Sequence, residues 1–233
     1  MMNTKNFALQ SITIEELSMP VREYEDVAWP VQEAEQNLRI IRDLMERSTK
    51  YSTFSGLSGV LAGLISIIGC LIQGLYIIHL PAAEKSTAFL WNWGIVITLA
   101  IGVDYVLTKR RARQVGKTIL SRLGKQMLLA STPGLGTGML LTLYFLHRGM
   151  IDEVYPFWML SYGIAVCAVG LFSQKEVSRL GWAFILAGAL TLLVQTFAAT
   201  HALNAQWGLT MIAVSFGGFH IVYGIAVSRR HGW

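Results

Sequence analysis

Along this chain, apolar runs without a formal charge alternate with short charged stretches. Residues 51–83, 86–103, 126–147, 154–174 and 180–228 contain no Lys, Arg, Asp or Glu. A hydrocarbon layer about 30 Å thick needs roughly 20 helical residues rising about 1.5 Å each, so these runs have the size of membrane crossings. The last run is longer than one crossing requires, and the polar patch Thr200-His201-Ala202-Leu203-Asn204-Ala205-Gln206 inside it predicts a turn. The pattern predicts an all-α integral membrane protein, a bundle of six transmembrane helices in three hairpins. The expected spans are 54–79, 87–108, 127–146, 154–173, 180–199 and 207–227 within a domain over 51–233.

The first 50 residues differ. Residues 1–30 carry Pro20, Pro30 and scattered acids without sustained periodicity, which predicts an extended or loosely docked segment. From Val31 to Lys50 the apolar residues Ala34, Leu38, Ile41 and Met45 recur at steps of three and four, the spacing of one helical face. Opposite charges at i,i+4 (Glu35 with Arg39, Asp43 with Arg47, Glu46 with Lys50) line the other face. Residues 31–50 are therefore expected to form an amphipathic cytoplasmic helix with one stripe to cover. The chain's own inner loops, the membrane surface, a second copy or a cytoplasmic protein partner would each serve.

Composition agrees with the span pattern, at 53% hydrophobic and 14% charged residues, against about 25% charged in soluble domains. It excludes a disordered or nucleic-acid-coating chain. Lys and Arg stay on the cytoplasmic side of short loops. Placing the N-terminus inside puts 17 of the 19 Lys and Arg inside, leaving only Lys85 and Arg148 outside. Both termini are then cytoplasmic. The start, Met1-Met2-Asn3-Thr4-Lys5-Asn6-Phe7, lacks the apolar core of a cleavable signal. Cys70 and Cys167 both lie within apolar runs and offer neither a disulfide framework nor a Cys-x-x-Cys site.

The run Glu35-Gln36-Asn37-Leu38-Arg39-Ile40-Ile41-Arg42-Asp43-Leu44-Met45-Glu46-Arg47-Ser48-Thr49-Lys50-Tyr51, followed by six spans, resembles a group of bacterial multi-spanning membrane proteins of unassigned function that carry a short cytoplasmic N-terminal helix. The resemblance implies a bacterial inner membrane and supplies no activity, substrate or site residue. Between the second and third spans, residues 109–125 hold seven Lys and Arg and no acid, with Val115, Ile119, Leu120 and Leu123 at helical spacing. Such a segment suits a surface of anionic headgroups, with Arg110, Arg111, Arg113, Lys117 and Arg122 as the lipid contacts. No aromatic residue interleaves these charges, which argues against nucleic acid.

Ionisable groups inside spans are rare and cost about 2.5–3.5 kcal/mol at a helix centre. Asp104 is the one acid within the predicted spans, close enough to the border for Lys109 or Arg110 to reach back to it. His220 lies deeper, among Gly217, Gly218, Phe219 and Tyr223, where a neutral histidine bonded to a neighbouring helix is the plain alternative. The run Ser131-Thr132-Pro133-Gly134-Leu135-Gly136-Thr137-Gly138 predicts a kinked or unwound third span, or else a close helix contact through glycine. If Asp104, Thr132, Pro133, Gly134 and His220 converged, they would form a polar pocket on the cytoplasmic half, as transporters build from broken helices. At the other border His79, His147 and His201 are candidate zinc or copper ligands without metal-motif spacing. No cofactor is indicated, and no His-Glu-x-x-His, Gly-x-Ser-x-Gly or Walker loop is present. Two functions follow as expectations. One is a non-enzymatic sensor or assembly subunit coupled to a partner through the N-terminal helix, and the other a small transporter or channel using the polar pocket.

Overall fold

The structure, a computed structural model, describes Glu33 and residues 35–41, 55–114, 122–197 and 201–231, excluding the side chains of 201–205 and 231. The chain divides into two units, Met1–Arg47 and Ser48–Trp233. In the first, residues 35–41 are helical and Leu38, Ile40 and Ile41 are exposed. The segment 1–30 and most of the helix expected over 31–50 lie outside the described residues.

The second unit is helical, with no strand among the described residues. Its helices are α1 (Gly56–Leu75), α2 (Ala82–Gln114), α3 (Arg122–His147), α4 (Ile151–Gly170), α5 (Lys175–Phe197) and α6 (His201–Ile212). A π-helical segment, Ala213–Phe219, joins α6 directly to α7 (His220–His231). Five stretches are long and apolar enough to cross a membrane: Gly56–His79, Ala82–Gln114, Arg122–His147, Lys175–Phe197 and Gln206–Arg230. The count expected from sequence was six. The missing one, α4, has 20 residues but carries Asp152, Glu153 and Pro156 at its start and further polar side chains along its length.

Two other expectations are corrected, and one helix outruns its expected span. Around the expected span 87–108, α2 runs from Ala82 to Gln114 and, at about 1.5 Å per residue, is roughly 50 Å long. Lys109–Gln114 thus extends a spanning helix, because the sequence there is made of good helix formers with no breaker. The patch at 201–206 is helical and opens α6, since Ala, Leu and Gln favour helix whatever the polarity of the patch. The third span is not unwound: α3 runs unbroken with Pro133 inside it. The irregular backbone lies instead at 213–219.

The helices are arranged with their small and polar residues inward. On α1 the buried positions are Gly56, Ser58, Gly59, Gly63, Ser66, Gly69, Cys70 and Gln73, while Leu57, Leu64, Ile68, Leu71, Ile72 and Leu75 are exposed. In water this pattern would be unstable; in lipid, where tails are as apolar as leucine, small residues that allow close backbone approach hold helices together. Three glycine seams result. Along α1 and the last pass, Gly59 faces the Gly224 Cα and the His220 carbonyl, and Gly63 faces the Gly217 carbonyl. Gly134 and Gly138 of α3 lie on Ser161 and Ala165 of α4. Gly163 and Gly170 of α4 meet Gly181 and Ser178 of α5, while Gly188 of α5 meets Pro156 and Leu160. Each seam pairs early residues of one helix with late residues of the other, so the partners are antiparallel. The α3–α4 turn closes on Gly149, whose φ of 71° is the left-handed conformation glycine adopts freely.

Aromatic rings fill what the glycines leave. Phe89 and Trp93 of α2 pack on Tyr155 and Trp158 of α4, with Trp93 and Trp158 edge to face at 5.2 Å between centroids. The Trp158 indole N–H donates to the Thr142 hydroxyl at 2.6 Å, tying α4 to α3.

The seams make opposite predictions for different glycines. A Cβ at Gly63 would stand 2.6 Å from the Gly217 carbonyl oxygen, whereas one at Gly94 or Gly136 meets nothing within 4 Å. Gly63→Ala should lower unfolding stability in detergent by about 1–3 kcal/mol, the usual cost of overpacking. Gly94→Ala and Gly136→Ala should leave stability unchanged or raise it by up to about 1 kcal/mol through helix propensity. Thermal unfolding of the three purified variants checks this.

Candidate functional site

One end of the bundle gathers the start of α1, the end of α2, the start of α3, the end of α4, the start of α5 and the end of α7, as the antiparallel seams require. Basic residues mark it on α2 (Lys109, Arg110, Arg111, Arg113), α3 (Arg122, Lys125), α5 (Lys175, Arg179) and α7 (Arg229, Arg230). Arg230 pairs with Glu176 across α7 and α5.

Asp104 lies toward this end on α2 and is turned onto α1, where the Ser58 hydroxyl is 2.6 Å from its Oδ1. The same hydroxyl is 2.7 Å from the Ser55 carbonyl oxygen. Thr108, one turn on, donates to Oδ1 at 3.4 Å. Among the described residues no lysine or arginine pairs with Asp104. Lys109, expected to reach back to it, points instead at Tyr105, bonding its hydroxyl at 3.4 Å and lying 5.3 Å from the ring centroid. The reason is helical geometry: Lys109 is four residues beyond Tyr105 and so shares its face.

His220 stands directly after the π segment. Its Nε2 and the Tyr162 hydroxyl of α4 are 2.8 Å apart, with the proton's direction set by the ring tautomer. The imidazole is caged by rings: Phe216 stacks on it at 6.0 Å between centroids, and Phe184 of α5 meets it at 5.4 Å. Its Nδ1 is buried, and the ring lies against the backbone of Ser215 and Phe216 in the preceding turn. The π turn lets the last pass serve two neighbours. Phe216, Phe219 and His220 face the rings of α4 and α5, while Gly217, Ile221 and Gly224 face α1. Such turns are frequent at functional positions.

Asp104 and His220 thus share one end of the bundle without bonding to each other. The carboxyl answers to Ser58 and Thr108, the imidazole to Tyr162. The rest of the expected pocket is elsewhere. Thr132 and Pro133 are exposed, the Thr132 hydroxyl bonds the Leu128 carbonyl of its own helix, and Gly134 packs on α4. The glycines of that run serve helix contact. Ser58, Tyr162 and Tyr223 were not among the expected site residues. Ser58 was legible in principle, since it falls on one helical face with Ser66, Gly69 and Gln73, a run of small and polar residues.

At the other border His79 and His147 are exposed, and the side chain of His201 lies outside the described residues. Among the described residues no three His, Cys, Asp or Glu side chains gather as metal ligands. Of the expected lipid contacts, Arg110, Arg113 and Arg122 are exposed, Arg111 is half-buried, and Lys117 lies outside the described residues. Comparison with protein-family models, curated proteins and solved structures finds no match to this chain.

A double-mutant cycle separates the two contacts. Asp104→Asn with Ser58→Ala should show a coupling of about 0.5–3 kcal/mol in detergent unfolding, as contacting residues do, whereas Asp104→Asn with His220→Gln should be additive within about 0.5 kcal/mol. Coupling in the second pair as large as in the first would place carboxyl and imidazole in contact.

Proposed function

We propose that this chain is a small transporter or channel of a bacterial inner membrane, with six spans and both termini in the cytoplasm, working through the polar cluster of Asp104, Ser58, Tyr162 and His220. The observation that carries the reading is the placement of Asp104. A carboxyl within a span costs about 2.5–3.5 kcal/mol on insertion scales, and such groups mark ion and substrate paths when they face the bundle interior. Asp104 does so, bonded across helices by Ser58. The histidine beside a π turn adds a second ionisable group and a departure from α winding within the last pass.

Two further features support the layout. Helix α4 lies against α3, α5 and α6, so most of its side chains face protein, which relaxes the apolarity that a lipid-facing span needs. Its short connections to α3 and α5 favour a crossing. The basic end favours the cytoplasmic side, where exposed Arg110, Arg113 and Arg122 would meet anionic headgroups. A second reading, a sensor or assembly subunit, is favoured by the exposed Leu38, Ile40 and Ile41 on the helical stretch 35–41; a second copy or a cytoplasmic protein would cover them.

The full chain in liposomes loaded with a pH-sensitive dye, under an imposed proton or potassium gradient, tests this. A protein-dependent flux is expected. It should fall about tenfold or more in Asp104→Asn, the rate equivalent of about 1.4 kcal/mol, and persist when residues 31–50 are deleted. No flux, or flux unaffected by Asp104→Asn, would remove the transport reading. Topology has its own check. In a background lacking Cys70 and Cys167, single cysteines at Glu84, Asp152 and Asn204 should label from outside and a reporter after Trp233 should be active inside. Labelling of the Asp152 position only from the cytoplasm would leave α4 short of a crossing.

A further inference from the structure

The hydrogen bonds around Asp104 do not balance unless the carboxyl carries a proton. Ser58 Oγ lies 2.7 Å from the Ser55 carbonyl oxygen and 2.6 Å from Asp104 Oδ1. Both are hydrogen-bond distances, at which two oxygens without a proton between them repel. The Ser58 hydroxyl has one proton to give, and a carbonyl oxygen can only accept. A carboxylate also only accepts, so an ionised Asp104 would leave one of the two contacts without a hydrogen. A neutral carboxylic acid satisfies both: its O–H donates to Ser58 Oγ, and the Ser58 O–H donates to Ser55. The remaining neighbours ask for no charge. Thr108 donates weakly at 3.4 Å, no lysine or arginine among the described residues pairs with the group, and Lys109 is engaged with Tyr105. From α4 and α7 the groups within reach of its charge are the hydroxyls of Tyr162 and Tyr223.

We infer that Asp104, with Ser58 as its partner, is a proton-binding site, occupied by a proton in the packed bundle at neutral pH. Release of that proton has a defined local consequence. The Ser58 hydroxyl turns its single hydrogen to the carboxylate, and the Ser55 carbonyl, just ahead of the first turn of α1, loses its side-chain donor. The inference rests on these local bonds, so it stands or falls separately from any flux.

Infrared difference spectroscopy of the full chain in lipid nanodiscs tests it. At neutral pH the spectrum should contain a carboxylic-acid C=O stretch that Asp104→Asn removes and that Ser58→Ala shifts, because the acid's acceptor is lost. Raising the pH should convert this band reversibly to carboxylate absorption. Ser58→Ala keeps the carboxyl and guards against misfolding of Asp104→Asn. Absence of an Asp104-dependent acid band at neutral pH overturns the inference, and a band that Ser58→Ala leaves unmoved overturns the assigned partner.

Discussion

The architecture depends on backbone meeting backbone. Where Gly63 lies under the Gly217 carbonyl and Gly59 under the Gly224 Cα, no side chain separates the first and last helices. Lipid gives helices no hydrophobic reason to associate, so van der Waals contact and interhelical hydrogen bonds must supply the attraction, and both strengthen as the axes approach. The residues that would build a core in water, such as Leu64, Ile68, Leu71 and Leu75 on α1, are largely turned outward.

The polar cluster is a product of the same closeness. Ser58 has a short side chain, and it reaches Asp104 on α2 because Gly69, on the same side of α1, lets α2 in against Val96. On the other side, His220 is carried by the helix that the glycine seam fixes to α1, and Tyr162 by one that glycines fix to α5. Two ionisable groups that lipid would penalise are thereby held within protein, each with a hydroxyl partner from another helix. Neither has to neutralise the other.

The helical class and the positions of the apolar stretches were legible because charge-free runs of this length admit few other uses. Helix ends were less so. Composition marks where a helix leaves the hydrocarbon, and a helix such as α2 continues beyond it for as long as its residues favour the conformation. The expected span at 154–173 falls on α4, which is less apolar than the five long stretches because Asp152, Glu153 and Pro156 open it. Within the site, Asp104 and His220 stood out by chemical type alone, but their partners did not. Ser58 and Tyr162 are ordinary residues whose role depends on which faces the seams bring together, and that is a property of pairs of helices. The Pro133 run misled because glycine serves both to break helices and to bring them close, and here the packing on Ser161 and Ala165 decides for the second.

The π segment carries a consequence of its own. Its extra residue per turn is a dislocation in the winding of the last pass, held by rings on one side and by glycine contacts on the other. A dislocation can be expelled without breaking a helix: rewinding Ala213–Phe219 as α would turn everything on one side of it by about 100°, one residue's share of a turn. His220 would swing off Tyr162, and the Gly224 face would leave α1. The winding of the last pass is therefore tied by geometry to its ring contacts and to its glycine seam at once.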